Sequence, residues 1–398
     1  MLFDQPHLYE VEDMIVFAER YKRLFIYGCA SNQEFLLKFL DICDVKVEGY
    51  LTTSQDGCAL CYRQMPKHTL ETVDLTDAGI IVGLSDRHFN DVIPRLRERR
   101  FADYFIMSEF NKDKIAYKLT PRPRERMEIE VNLADHCNLN CQCCDHFSQL
   151  VKEPRFLDFN VFKRDMERLA QLSEHNIGSM KLQGGEPLLN KDVNRFVELT
   201  RSLFPKTVIY FFTNGLLLMK SEKYESGNFW QCCKDNDVTL QLTEYPINLN
   251  VTAIEQKAKE YEVKLQVFGD VADRVRGKTK RSTKHPFDLS GGVDKWQYIS
   301  CYHFNETMTL RNGRLYTCSI IPYANYFNEA FEQHLDLSDN NSIDIYKAQS
   351  YEEIAEFVTH RVPFCNYCDI KRRHSLPWAR SNRTLDEYVS TQQKTGSL

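Results

Sequence analysis

From residue 127 to about residue 290 the chain alternates short apolar runs with amphipathic stretches, and this alternation constrains the fold more than any other feature. The runs 128–133, 180–183, 207–212, 238–243 and 263–268 read as strands, and 159–173, 191–204 and 253–261 as helices between them. Strands that follow one another in parallel need a crossover, usually a helix, so such βα units build a parallel sheet. This succession predicts a full or partial TIM-type barrel, whose function sits at the carboxyl ends of its strands.

A shorter α/β pattern comes first. The runs 23–28, 45–51 and 79–84 read as strands and 34–40 and 91–99 as helices, predicting a Rossmann-like parallel domain over residues 1–120. Its first turn, Gly28-Cys29-Ala30-Ser31-Asn32-Gln33, lacks the second and third glycines of a dinucleotide-binding turn. A recognition or scaffolding role is favoured there, with a smaller anion at Ser31 or the helix start as the alternative. Residues 109–126, which include Pro121-Arg122-Pro123-Arg124, read as a charged linker. The expected organisation is therefore 1–120, a core over 121–290, and a small domain over 291–398.

Composition removes several function classes. A net charge of −5 over 398 residues argues against a general nucleic-acid surface. No run approaches the ~20 apolar residues of a membrane helix, and the start at Met1 shows no signal-peptide pattern. Fourteen cysteines in a chain of this size point to metal or redox chemistry in a reducing compartment, hence a cytoplasmic protein.

Those cysteines carry the chemistry. Cys137, Cys141 and Cys144 form C-x3-C-x2-C on one short loop after the first core strand. Three thiolates can hold a four-iron cluster and leave one iron open to a ligand that is not protein. Two other readings stand beside this one: a zinc site, which usually divides its ligands between two loops, and a chance group of buried apolar cysteines. About forty positions later, Gly184-Gly185-Glu186-Pro187 follows the second core strand. Together the two motifs resemble the radical S-adenosylmethionine superfamily.

That resemblance implies a partial TIM-type barrel, a [4Fe-4S] cluster on Cys137, Cys141 and Cys144, and S-adenosylmethionine chelating the open iron. It also implies that Gly184, Gly185 and Glu186 bind the cofactor's amino group, and that Asn214 lies near its carboxylate or ribose. The implied activity is reductive cleavage of S-adenosylmethionine to a 5′-deoxyadenosyl radical, which abstracts hydrogen from substrate. An electron donor such as flavodoxin or ferredoxin would supply the cluster. Where the family usually carries an aromatic residue, this chain has Cys143, read as a neighbour of the ligands.

After residue 290 come Cys301, Cys318 and the pair Cys365-Asn366-Tyr367-Cys368. Asn312-Gly313 between alternating residues predicts a hairpin ahead of Cys318. This arrangement resembles the auxiliary-cluster domains of that superfamily, of the shorter "twitch" type because no cysteine follows Cys368. The implied cofactor is an auxiliary [4Fe-4S] cluster on Cys301, Cys318, Cys365 and Cys368, with zinc on the same ligands as the rival. Cys58 and Cys61 read as structural. The basic run 274–281, with Lys284, reads as a solvated loop or as a lid over an anionic substrate. Trp378 reads as packing. The expected substrate is a small polar molecule, sugar-like or nucleotide-linked. The alternatives are a maturase of ribosomally made peptides and a non-catalytic metal-binding scaffold.

Overall fold

The computed structural model describes residues 10–28, 33–53, 65–84, 86–98, 103–268 and 281–390. Cys58, Cys61, turn residues 29–32 and the basic run 274–280 lie outside the described residues. The chain divides into two compact units, Met1–Thr120 with Asp294–Ser300, and Pro121–Val293 with Cys301–Leu398.

The first unit is built on five strands: β1 (Arg23–Tyr27), β2 (Gly49–Thr52), β3 (Lys67–Thr69), β4 (Ala78–Val82) and β5 (Tyr104–Ile106). They pair in parallel in the order β3-β2-β1-β4-β5. Every residue of β4 is buried, as expected of a parallel strand covered on both faces. Helices α1 (Val11–Ala18), α2 (Gln33–Ile42), α3 (Phe89–Glu98) and α4 (Glu109–Leu119) accompany the sheet.

Helix α4 corrects the expectation of a linker over 109–126. The Ser108 hydroxyl caps it by accepting from the Asn111 amide at 3.2 Å. Asn111, Lys112, Ile115, Lys118 and Leu119 are buried with helical spacing. Two of these positions are lysines, which hid the stripe in the sequence. Lys112 enters the buried face because its ammonium donates to the Leu84 carbonyl at 2.6 Å and to Glu109 at 3.0 Å. The connection proper is short, with one 3₁₀ turn at Arg124–Arg126. Strands β3 and β5 have three residues each, too few for alternation to register, and β2 begins at Gly49 instead of at 45.

The second unit follows the predicted succession closely. It runs β6 (Glu128–Ala134), α5 (Phe159–Ser173), β7 (Ser179–Gly184), α6 (Val193–Leu203), β8 (Val208–Thr213), α7 (Phe229–Asp235), β9 (Val238–Thr243), α8 (Val251–Glu260) and β10 (Lys264–Phe268). After these come β11 (Arg281–Lys284), β12 (Thr307–Arg311), β13 (Arg314–Tyr316), β14 (Ser342–Asp344) and β15 (His374–Pro377). One eight-stranded sheet has the order β10-β9-β8-β7-β6-β12-β13-β14, parallel from β10 to β12. Among the described residues this sheet is open, and the architecture is mixed α/β.

The predicted hairpin is β12–β13. Asn312 and Gly313 take φ of 51° and 74°, as a tight turn with two left-handed residues requires. Asp165 of α5 accepts the Gly313 amide at 2.7 Å, fixing the turn against the helix. Strand β13 ends at Tyr316, so Cys318 lies two residues past it.

Alternation divides the sheet into two chemically different faces. Ile129, Val131, Leu133, Met180, Leu182 and Phe211 enter the apolar core shared with the helices. The residues between them include Glu130, Asn132 and Gln183, which are polar yet buried, and Lys181, which pairs with Glu128 and Glu130.

Candidate functional site

Four consecutive parallel strands end at one cavity of about 360 Å³. Cys137, Cys141 and Cys144 follow β6, Gly184 and Gly185 close β7, Asn214 follows β8 and Tyr245 follows β9; all of them line it. Carboxyl ends of parallel strands are where α/β sheets place ligands. The volume falls within the ~300–1,000 Å³ usual for small-molecule sites.

The cysteine loop is curled by two residues in left-handed conformation, Asn140 at φ 54° and Cys143 at φ 55°. The thiols are near enough that charge on Cys144 or Cys141 would disfavour ionisation of Cys137, and charge on Cys141 that of Cys144. Burial raises Cys137 to about 12 and Cys144 to about 11. They are therefore neutral at pH 7, and a metal group that binds them must displace protons. Cys143 donates its thiol to the Glu387 carbonyl at 3.6 Å. The Tyr245 phenol is pushed far up, first by burial and then by the three neighbouring cysteines.

The glycines at the end of β7 exist for close approach. Gly184 has φ +151°, and a Cβ there would stand 2.3 Å from the Ala134 carbonyl; one on Gly185 would stand 2.2 Å from that of His136. Backbone bonds take up the room instead: the Gly185 amide donates to Ala134 at 2.8 Å and the Glu186 amide to His136 at 3.1 Å. The Gly-Gly step is thereby fastened to the chain entering the cysteine loop.

Glu186 is placed differently from its neighbours. Its side chain is fully buried and is not among the residues lining the cavity. The carboxylate accepts from the Leu188 amide at 3.1 Å, the Thr213 hydroxyl at 2.8 Å and the Asn214 amide at 2.9 Å. It ties the end of β7 to the end of β8. Burial raises it to about 7, against the pull of its three donors. Asn214 in turn donates to the Asn138 side chain at 2.8 Å and reaches to 3.8 Å from the Cys137 sulfur.

A strap from the carboxyl-terminal segment grips the same loop. The Gln142 amide donates to Ala379 at 3.0 Å, its side chain to Pro377 at 2.6 Å, and the Ser381 amide to Asn140 at 2.9 Å. Strand β15, just before the strap, pairs antiparallel with β11. Trp378 packs against Tyr245 at 5.7 Å between ring centroids, in agreement with a packing role. Lys284 is buried and donates to the Asp386 carbonyl at 2.5 Å.

The four later cysteines come together from three segments. Cys318 and Cys368 each feel the charges of Cys301 and Cys365. Cys318, Cys365 and Cys368 pack against a cluster holding Phe147, Phe287, Phe327, Phe364 and Tyr388. Burial raises Cys365 to about 11 and Cys318 and Cys368 higher still. Among the described residues, no three or more His, Cys, Asp or Glu side chains stand at the spacing of ligands to one metal ion. Ligands to different irons of a cluster stand farther apart than ligands to a single ion, so the donor chemistry fits at both places.

Sequence reasoning missed the polar group beside Cys144. Asp145 accepts from His285 Nδ1 at 2.7 Å and from the Tyr302 hydroxyl at 3.1 Å, partners 140 and 157 positions away. Its carboxyl is held well below the usual range by the two nearby histidines, His285 foremost, against the opposing effect of burial. The positions of Asp145 after Cys144 and Tyr302 after Cys301 were the only sequence hints.

No family model matches the chain. Among curated proteins, the GTP 3′,8-cyclase of Staphylococcus carnosus is 29% identical over 110 residues, 25% of this chain and 31% of that one. The S-adenosyl-L-methionine-dependent 2-deoxy-scyllo-inosamine dehydrogenase of Niallia circulans is 33% identical over 87 residues, 22% of this chain and 34% of that one. The match thus spans about a third of such relatives' length. Among solved structures, BtrN in complex with AdoMet and 2-DOIA is 18% identical, with 66% of this chain and 96% of that one covered at a TM-score of 0.39. Streptococcus suis SuiB bound to precursor peptide SuiA is 11% identical, with 70% and 78% covered at a TM-score of 0.34. No helix among the described residues is long and apolar enough to cross a membrane. C-x3-C-x2-C and Gly-Gly-Glu-Pro, the two motifs on which the sequence resembles the radical S-adenosylmethionine superfamily, are thus fastened together at one cavity, and the curated relatives matched over part of the chain support that resemblance.

Proposed function

We propose that the chain is an enzyme that holds a [4Fe-4S] cluster on Cys137, Cys141 and Cys144 and uses S-adenosylmethionine to oxidise or rearrange a small polar substrate. The observation that carries this reading is the shared cavity: three thiols of one loop, the Gly184-Gly185 backbone and Asn214 all line it. Bound together, cluster and cofactor would supply a 5′-deoxyadenosyl radical that abstracts hydrogen. The open sheet is read as a partial barrel, with the cavity at its carboxyl-terminal mouth.

The chain's own residues then have defined tasks. Gly184 and Gly185 present backbone, bare of side chains, to the cofactor's amino group. Glu186, engaged by three donors, sets their position from behind instead of meeting the cofactor itself. Asn214 braces the entry of the cysteine loop through Asn138 and offers a polar group to the cofactor's carboxylate or ribose. The strap over Gln142 covers the loop and limits water and oxygen. Cys301, Cys318, Cys365 and Cys368 would ligate a second [4Fe-4S] cluster, enclosed by aromatic residues, for electron transfer. A flavodoxin or ferredoxin would be the reductant.

The test is anaerobic reconstitution. Iron near eight per chain, and 5′-deoxyadenosine formed with dithionite and S-adenosylmethionine, are the expected results. No 5′-deoxyadenosine refutes the radical chemistry. Iron near four with zinc present reassigns the four later cysteines.

A further inference from the structure

Ordinary connections run over a protein's surface, but residues 294–300 do not. The chain on either side of them belongs to the second unit, yet they belong to the first. They turn as a 3₁₀ helix, Lys295–Ser300, against α1, α2 and α4. Trp296 is 8% exposed, Tyr298 3% and Ile299 0%. The Tyr298 ring lies 6.3 Å from that of Phe39 on α2, Lys295 pairs with Asp44, and Lys114 of α4 donates to the Ser300 hydroxyl at 3.2 Å. Three large side chains buried in this way hold the segment as firmly as an element of the core.

Both ends of the segment lead straight to the later cysteines. On the entry side, the Asp288 amide donates to the Tyr367 carbonyl at 2.8 Å and the Val293 amide to that of Asn366 at 3.3 Å. Asn366 and Tyr367 are the two residues between Cys365 and Cys368, and Phe287 forms a bridge with Cys368 itself. On the exit side Cys301 follows Ser300 directly, and the next residue, Tyr302, is held by its 3.1 Å bond to Asp145. Cys301 is thus one Cα step, about 3.8 Å, from a held residue on either side and has no slack of its own. It lies near enough to Cys318, Cys365 and Cys368 for its charge to bear on each. The peptide bonds Val293–Asp294 and Ser300–Cys301 therefore carry the hold on residues 294–300 to these four thiols.

We propose that the first unit is the anchor of the later cysteine site: by gripping residues 294–300 it holds Cys301 within reach of Cys318, Cys365 and Cys368, and the second cluster depends on that grip. This assignment rests on reading those four cysteines as cluster ligands. Lys114, Trp296 and Ile299 are positioning residues, which act through the backbone of residues 294–300 and touch no cluster.

The experiment uses the full chain. Two glycines inserted between Ser300 and Cys301 give the ligand slack and leave residues 294–300 their packing. The metal-free protein is treated anaerobically with N-ethylmaleimide, and modification is followed cysteine by cysteine by peptide mass. Cys301, half-buried in the wild type, should react about tenfold faster or more in the insertion variant, while Cys232 and Cys233, buried in α7, keep their wild-type rates. After reconstitution, iron should fall from about eight to about four per chain. Lys114→Met, which removes the bond to Ser300, should speed the reaction of Cys301 about threefold. An unchanged Cys301 rate in the insertion variant overturns the proposal, and so does iron that stays at the wild-type level. If Cys232 and Cys233 also react faster, the insertion has loosened the whole fold and Lys114→Met decides: an unchanged Cys301 rate there overturns the proposal. A wild type that itself holds only about four irons fails at the cluster reading instead, and the Cys301 rates still decide whether the first unit is the anchor.

Discussion

Cys137, Cys141 and Cys144 come from eight consecutive residues and stand in the wall of a polar cavity, whereas Cys301, Cys318, Cys365 and Cys368 are gathered from three segments. Three of the latter lie against Phe287, Phe327 and Phe364. A short loop can offer thiols on one side only, which leaves room for a ligand that is not protein. A site assembled from distant segments is walled by what those segments pack against. That the first group borders a cavity and the second an aromatic cluster thus follows from how far the chain travels between the cysteines.

The sharpest way to break that comparison is to remove one thiol from each group. Cys137→Ala should abolish 5′-deoxyadenosine formation, a loss of at least about a hundredfold, because the cluster would lose one of its three protein ligands. Cys318→Ala should lower the iron content yet leave S-adenosylmethionine cleavage measurable. Equal loss of cleavage in both would mean that the two groups do not act separately. Next in size, Phe364→Ala removes a ring that is 1% exposed from the enclosing cluster. It should cost about 3–5 kcal/mol, seen as a lowered Tm, with iron lost first from the enclosed group.

The open group has a pH signature. Burial raises Glu186 to about 7, above its ordinary 4.5. An acid raised on folding makes the native state bind more protons than the unfolded chain between those values, so stability falls as pH rises from about 4.5 to 7. A shift of this size amounts to roughly 3 kcal/mol. Glu186→Gln should flatten that part of the curve in denaturant titrations from pH 5 to 8. An unchanged slope would place the titration elsewhere. The smallest effect belongs to the strap: Gln142→Ala removes one 2.6 Å bond to Pro377 and should lower stability by about 1 kcal/mol while speeding oxidative loss of the open cluster.

The parts legible in the sequence were those with local signals. The strands β6 to β10 were read within two residues of their ends because apolar positions recur there and helices of ten or more residues separate most of them. Helix α7 escaped, being only seven residues long. So did α4, whose buried stripe includes lysines that the backbone and an acid neutralise. At the site, the motif residues could be named in advance, but the inward turn of Glu186 could not, since Thr213 and Asn214 are 27 and 28 positions away. The pairing of Asp145 with His285 spans 140 positions and leaves no periodic trace in the chain.

The strap has a consequence for how the molecule comes into being. Gln142 and Pro377, which bond to each other, are 235 positions apart. At about 5–20 residues per second, the ribosome delivers the first roughly 10–50 s before the second. During that interval the cysteine loop exists without its cover. A metal group that binds there would thus have a timed opening, and synthesis in air would expose the three thiols to oxidation before β15 arrives with the strap.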